Sequence, residues 1–168
     1  MYAFMRLLPL LLVWLILNGC GFHLRGAVAL PPDKRIIALA GMSLDHPFAR
    51  ELQRLLELVE GRLVADPRNA GSVVFVHQIQ QDRRIVSLDE HGKAIEFELI
   101  YRVRFEARRP DGTVLLPMQT ITIRRIYLNP QFQIIGKSQE EGVIREEMRR
   151  EAARTLLRRL RRALVNAD

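Results

Sequence analysis

This 168-residue chain has little of what most chemistry is built from: one cysteine, four histidines, and aromatic side chains at 7%. A single cysteine excludes an intrachain disulfide, which needs two. His23, His46, His77 and His91 are scattered, with no H-x-x-x-H pair and no cysteine beside them, so no metal site is legible. The glycine-flanked nucleophile serine and the glycine-rich phosphate loop are both missing. Glu96 and Glu98 share one strand face and could mimic a carboxylate pair, but arginines flank them and cross-strand ion pairing is the expected use. The expectation is a protein that is not an enzyme and uses no diffusible cofactor. No acidic residue precedes Asp33, no internal repeat is visible, and no apolar run reaches membrane-spanning length. The N-terminal stretch Leu7 to Leu17 is about eleven residues, against the roughly 18 or more that a spanning helix requires.

What is present begins with that stretch. One basic residue, Arg6, then hydrocarbon, then small residues, is the order of a secretory signal. Leu17-Asn18-Gly19-Cys20 resembles the bacterial lipobox, with Asn18 standing where alanine or serine is commoner. Gly19 supplies the small residue before the cut, and Cys20 the thiol that takes a diacylglycerol. Residues 1–19 are then a lipoprotein signal peptide, and Cys20 carries covalent S-diacylglycerol and N-acyl lipid. Each buried methylene of such chains contributes about 0.8 kcal/mol, so the anchor is effectively permanent. Gly21 follows where an aspartate would favour the inner membrane, which points to the outer one. In the periplasm nucleic acid is not a partner. The net charge of +7, carried mostly by arginine, then suits phosphate- or carboxylate-bearing lipids, or serves solubility alone.

The rest reads as one α/β domain over residues 33–168, after a linker at 20–32 that ends in Pro31-Pro32. Lys34 to Ala40 is a short buried strand closed by Gly41. Asp45-His46-Pro47 opens a helix by an Asx-type start, Phe48, Leu52, Leu55, Leu56 and Val59 line its apolar face, and Gly61 caps it. A short run follows at Arg62 to Ala65. Val73 to about Leu88 is a strand, Asp89 to Gly92 a turn, and Ile95 to Ala107 a long strand with a period of two. Pro110-Asp111-Gly112 turns the chain into Val114 to Leu128. There the apolar parity changes between Ile121-Ile123 and Ile126-Leu128, which predicts a bulge near Arg124-Arg125. Ser138 and Glu141 have capping-box spacing before a helix lined by Ile144, Met148, Ala152, Leu156, Leu160 and Ala163. The expected fold is an α+β two-layer sandwich, a mixed four-stranded β-sheet with two α-helices packed on one face.

Two basic groups stand out. Arg154 to Arg162 near the C-terminus either reads anionic head groups at a membrane surface or forms a solvated helix face. Arg124 and Arg125 either turn together toward a ligand at the bulge or pair with Glu96, Glu98 or Glu106.

The opening Cys20-Gly21-Phe22-His23-Leu24-Arg25-Gly26 resembles that of the lipopolysaccharide-assembly lipoprotein family (LptE), which begins Cys-Gly-aromatic-x-Leu-Arg. The element order, Asn129-Pro130-Gln131 after the last strand and the final amphipathic helix extend the resemblance over the mature chain. It implies a non-enzymatic plug of a large outer-membrane β-barrel lipopolysaccharide-export protein, which helps the barrel fold and helps lipopolysaccharide reach the outer leaflet. It also implies lipopolysaccharide contacts at a basic residue in the loop between the second and third strands, and at a lysine after Asn-Pro-Gln. The latter corresponds to Lys137; at the former this chain has Asp89-Glu90-His91-Gly92-Lys93, so the basic residue is either displaced to Lys93 or missing. Lys93, Arg124, Arg125 and Lys137 are the resulting candidate patch. The competing expectation is a lipoprotein scaffold of another envelope machine, such as outer-membrane barrel assembly. A third is a soluble periplasmic enzyme.

Overall fold

The computed structural model of the chain describes residues 30–128 and 137–166, with side chains from residue 140 onward in the second segment. Cys20 and Asn129-Pro130-Gln131 lie outside the described residues. Seven main elements follow in order: β1 (Ile36–Ala40), α1 (Pro47–Glu57), β2 (Arg62–Val64), β3 (Ser72–Leu88), β4 (Ala94–Arg108), β5 (Val114–Leu128) and α2 (Lys137–Asn166). They form a mixed five-stranded sheet in the order β2-β1-β3-β4-β5, with β1 parallel to β2 and β3, and the last three strands antiparallel. Both helices pack on one face, as expected. The strand count is five rather than four because Arg62 to Val64 pairs with Ile36 to Ala38 as an edge strand.

Alternation puts Leu99, Tyr101, Val103, Phe105 and Ala107 of β4 under the helices, all essentially inaccessible to solvent. From α1, Phe48, Leu52 and Leu56 meet them, and from α2, Met148, Ala152, Leu156, Leu160 and Leu164. Each large aliphatic buried this way contributes roughly 1.5–3 kcal/mol. Leu30, inside the expected linker, is part of this core, and Pro32 to Lys34 form a short 3-10 turn rather than an extended stalk. Burial pushes the Tyr101 hydroxyl pKa up to about 12.

The ends of the elements are set by local chemistry. The cap of α1 is His46, not Asp45: its Nδ1 accepts from the Phe48 N–H at 3.1 Å, with Pro47 in the first turn. At the other end Gly61 donates to the Leu56 carbonyl at 2.8 Å, while the left-handed residue is Glu60, at φ 59°. Gly41 leaves β1 at φ 88°, so close to β3 that a Cβ would stand 2.2 Å from the Val76 carbonyl oxygen. Only glycine fits there.

The bulge expected near Arg124-Arg125 is absent. Pairing runs in register from Glu96 opposite Leu128 to Phe105 opposite Gln119, and slips only beyond, where Pro117 and Met118 of β5 stand against the single residue Glu106. A proline cannot donate to the ladder, and an edge strand tolerates it at such a slip. Ile126 and Leu128 therefore point away from the helices.

Candidate functional site

The antiparallel strands β3, β4 and β5 run past the core into a polar end, closed by the turn between β3 and β4. Asp89 builds that turn: its Oδ1 accepts from the His91 N–H at 2.9 Å and the Lys93 N–H at 2.8 Å, and Gly92 sits at φ 74°. The Lys93 side chain is exposed at this tip. β5 ends here too, Leu128 opposite Glu96, and α2 starts here at Lys137, whose side chain lies outside the described residues. Lys93, Lys137 and the two arginines of β5 therefore belong to the same end of the molecule.

The arginines divide between its two faces. Arg124 pairs in register with Ile100 on the helix-free face, is exposed, and has no side-chain partner among the described residues. Arg125 lies opposite Leu99 on the helix side, where its guanidinium is held by Glu151 of α2. Neither pairs with Glu96, Glu98 or Glu106. Those carboxylates have other partners. Glu98 takes Arg84, Glu96 accepts from the Ser87 hydroxyl at 2.6 Å, and Glu106 is bracketed by Arg108 at 3.1 Å and His77 at 3.3 Å. With Asp82 bound to Arg102, the helix-free face of these strands is a ladder of cross-strand ion pairs. Ile100 is only 6% exposed on this face.

On the helix side the same end is clamped by one carboxylate. Glu141 accepts from the Tyr127 hydroxyl at 2.6 Å, pairs with Arg145 at 2.6 Å, and meets Arg83 at 3.3 Å. Arg83 also lies 4.7 Å over the Phe97 ring, which stacks on Tyr127 at 5.8 Å. Burial works against the Glu141 charge, but the Tyr127 hydrogen bond and the guanidinium groups of Arg145 and Arg83 outweigh it, leaving the carboxyl below its ordinary value. Burial and then the neighbouring Glu141 raise the Tyr127 hydroxyl. Glu141 is thus a partly buried clamp of the first turns of α2; Ser138 falls inside the helix, and its side chain, with the expected capping box, lies outside the described residues. The period of two, continued unbroken through Arg125 and Tyr127, was the signal for this arrangement.

Sequence patterning missed a second feature of this end. Ile85, Val86, Leu88, Ile95, Ile126 and Leu128 are all between 36% and 67% exposed. So much apolar surface at one end of a monomer marks an interaction region. Among the described residues no group of three or more histidine, cysteine, aspartate or glutamate side chains could hold a metal ion. No described helix is long and apolar enough to cross a membrane.

Residues 27–160 match the family model LptE, described as lipopolysaccharide-assembly. The chain is 32% identical over 157 residues to the LPS-assembly lipoprotein LptE of Photorhabdus laumondii, an alignment covering 92% of this chain and 85% of that one. The protein of the same name from Pectobacterium atrosepticum is 30% identical over 147 residues, covering 87% and 79%. Among solved structures, lipoprotein B of Nitrosomonas europaea superposes with a TM-score of 0.70 at 27% identity, over 84% of this chain and 90% of that one. Rare lipoprotein B of Shewanella oneidensis gives 0.69 at 27%, over 79% and 98%.

Proposed function

The chain belongs to the LptE family of lipopolysaccharide-assembly proteins, and from that membership we propose that it is a non-enzymatic outer-membrane lipoprotein that plugs a β-barrel lipopolysaccharide translocon. It is cut before Cys20, lipidated there, and held on the periplasmic side. It supports assembly of the barrel and assists insertion of lipopolysaccharide into the outer leaflet. The observation that carries this reading is the family match, which spans nearly all of the folded body. The exposed apolar end of β3, β4 and β5 supports it, because that end offers hydrocarbon and backbone edges to a large partner. Lys93, Lys137 and Arg124, which has no side-chain partner among the described residues, are the phosphate-facing cations at the same end; Arg125 holds α2 through Glu151 and contributes secondarily.

A C-terminally tagged copy purified from detergent-extracted outer membranes, with co-purifying proteins identified by mass spectrometry, tests the partnership. A stoichiometric large barrel of the lipopolysaccharide-export type is the expected result. Recovery of the lipoprotein alone, or with another envelope machine, overturns it. For the lipid contacts, Lys93→Glu with Lys137→Glu weakens lipopolysaccharide binding, with the larger difference at low salt because the attraction is screened. Unchanged binding removes both residues from the site.

A further inference from the structure

At the end of the molecule opposite the β3–β4 turn, an open groove of about 590 Å³ lies between the last turns of α2, the Leu55 side of α1 and the first described residues of the chain. Its floor is hydrocarbon from Leu30, Leu55, Leu157 and Val165. Its rim is basic: Arg154, Arg158, Arg161 and Arg162 line it, and no acidic side chain does. Arg154, Arg158 and Arg162 recur every four residues, so they stand in one row along the helix, and all three are exposed. No described residue pairs with Arg154 or Arg162, and Arg158 reaches only the Thr155 hydroxyl, at 3.1 Å. Elsewhere on this protein arginines mostly meet carboxylates. Here a row of cations flanks an apolar floor.

We propose that this groove is a docking site for an anionic glycerophospholipid of the membrane surface, its phosphate on the arginine row and an acyl segment on the Leu30–Leu157–Val165 floor. Charge complementarity supplies the first half of the argument, since guanidinium groups suit phosphate and carry a chemistry the apolar floor alone does not specify. The position of the chain entry supplies the second. Leu30 forms part of the groove floor, and about ten residues separate it from Cys20, at most about 35 Å of extended chain. A lipid on Cys20 therefore holds this end of the domain near a bilayer surface; this step rests on the lipidation reading above.

The test uses residues 20–168 carrying Cys20→Ser, so that binding does not depend on the anchor. The parent is expected to co-sediment with phosphatidylglycerol-containing vesicles, and only weakly with vesicles of phosphatidylethanolamine and phosphatidylcholine alone. Arg154→Gln/Arg158→Gln/Arg162→Gln lowers that partition by about tenfold or more, since each surface cation near an anionic leaflet contributes about fivefold. A charge-matched control, Arg50→Gln/Arg68→Gln/Arg104→Gln, leaves it within about twofold. Val165→Trp places the sole tryptophan of this chain in the groove, because Trp14 precedes Cys20. Its fluorescence is quenched by brominated acyl chains.

Equal losses in the two triple variants, or no quenching, overturn the groove in favour of diffuse charge. Binding to lipopolysaccharide vesicles but not to phosphatidylglycerol vesicles overturns the choice of lipid. Circular dichroism and thermal melts of each variant separate a binding loss from misfolding. Mass spectrometry of native Cys20 tests the anchor by itself. A lipidated Cys20 with an indifferent arginine variant defeats only the groove, whereas an unmodified Cys20 defeats the anchoring on which it rests.

Discussion

The two halves of α2 lie on the same sheet and are held to it by different chemistry. From Met148 to Leu164 the helix presents methionine, alanine and leucine to β4, β5 and α1, all at most 7% exposed. From Glu141 to Glu151 it presents charges, which find Tyr127, Arg83 and Arg125 on the sheet. The leucine half sits where the sheet is backed by the second helix. The charged half sits over strands that project beyond the core and keep exposed apolar side chains at their ends. Hydrocarbon burial is non-directional and closes a core. A partly buried carboxylate shared by a tyrosine and two arginines fixes an orientation while contributing less net stability. The molecule thus has an end closed by hydrocarbon and an end held by ion pairs that keeps apolar side chains exposed, spanned by a helix of 30 residues, about 45 Å long.

The largest effect that can break this comparison is at Leu160, which is fully buried. Leu160→Ala is expected to cost about 2–5 kcal/mol of unfolding free energy, measured by urea titration. Tyr127→Phe removes one hydrogen bond to a partly buried carboxylate and is expected to cost only about 1 kcal/mol. Comparable costs for the two would mean that the charged half carries as much of the fold as the core.

Acid sharpens the contrast. The Glu141 carboxyl is held below its ordinary value, so the unfolded chain takes up that proton first as pH falls. Its contribution is fully present above the usual carboxylate value of about 4.3 and is lost as pH drops through the lower folded value. Amide hydrogen exchange is expected to rise over the first turns of α2 at acid pH before it rises over Leu156 to Leu164. Simultaneous opening of both halves would deny the clamp an independent role.

The smallest expected effect on stability is at the exposed apolar end. Ile126→Ser with Leu128→Ser is expected to stay within about 0.5 kcal/mol of the parent in unfolding. The recovery of the co-purifying barrel is the quantity that should fall. A destabilised but fully barrel-competent double variant would place these residues in the fold and not at a partner.

The long alternation of β4 could be read directly, because a period of two with every second residue apolar admits one burial pattern. The two amphipathic helices and the tight turns at Gly92 and Gly112 were legible for the same reason: local sterics decide them. β2 was not, since three residues carry too little pattern to declare a strand, and it exists through pairing with β1. The supposed bulge at Arg124-Arg125 came from equating apolar with buried. Ile126 and Leu128 violate that equation, and the helix-side positions beside them go to Arg125 and Tyr127, whose partners Glu151 and Glu141 come from a distant helix. The candidate cations could be named from composition and family resemblance, but not their grouping. Arg124 and Arg125 are neighbours in sequence and occupy opposite faces of one strand.

By itself the sequence determined the class of the protein: the lipobox-like start, the run of elements and their polarity, and a charge balance dominated by arginine. Those properties are carried by residues a few positions apart, where spacing and geometry are nearly the same thing. Tertiary structure decided which cations are spent and which are left over. Among the described residues ten arginines meet carboxylates, several of them brought from another strand or from α2, and the three-dimensional pairing leaves Arg124, Arg154 and Arg162 among those without a partner there. Ion pairs form between side chains that are remote in sequence, so the availability of a charge is a property of the fold.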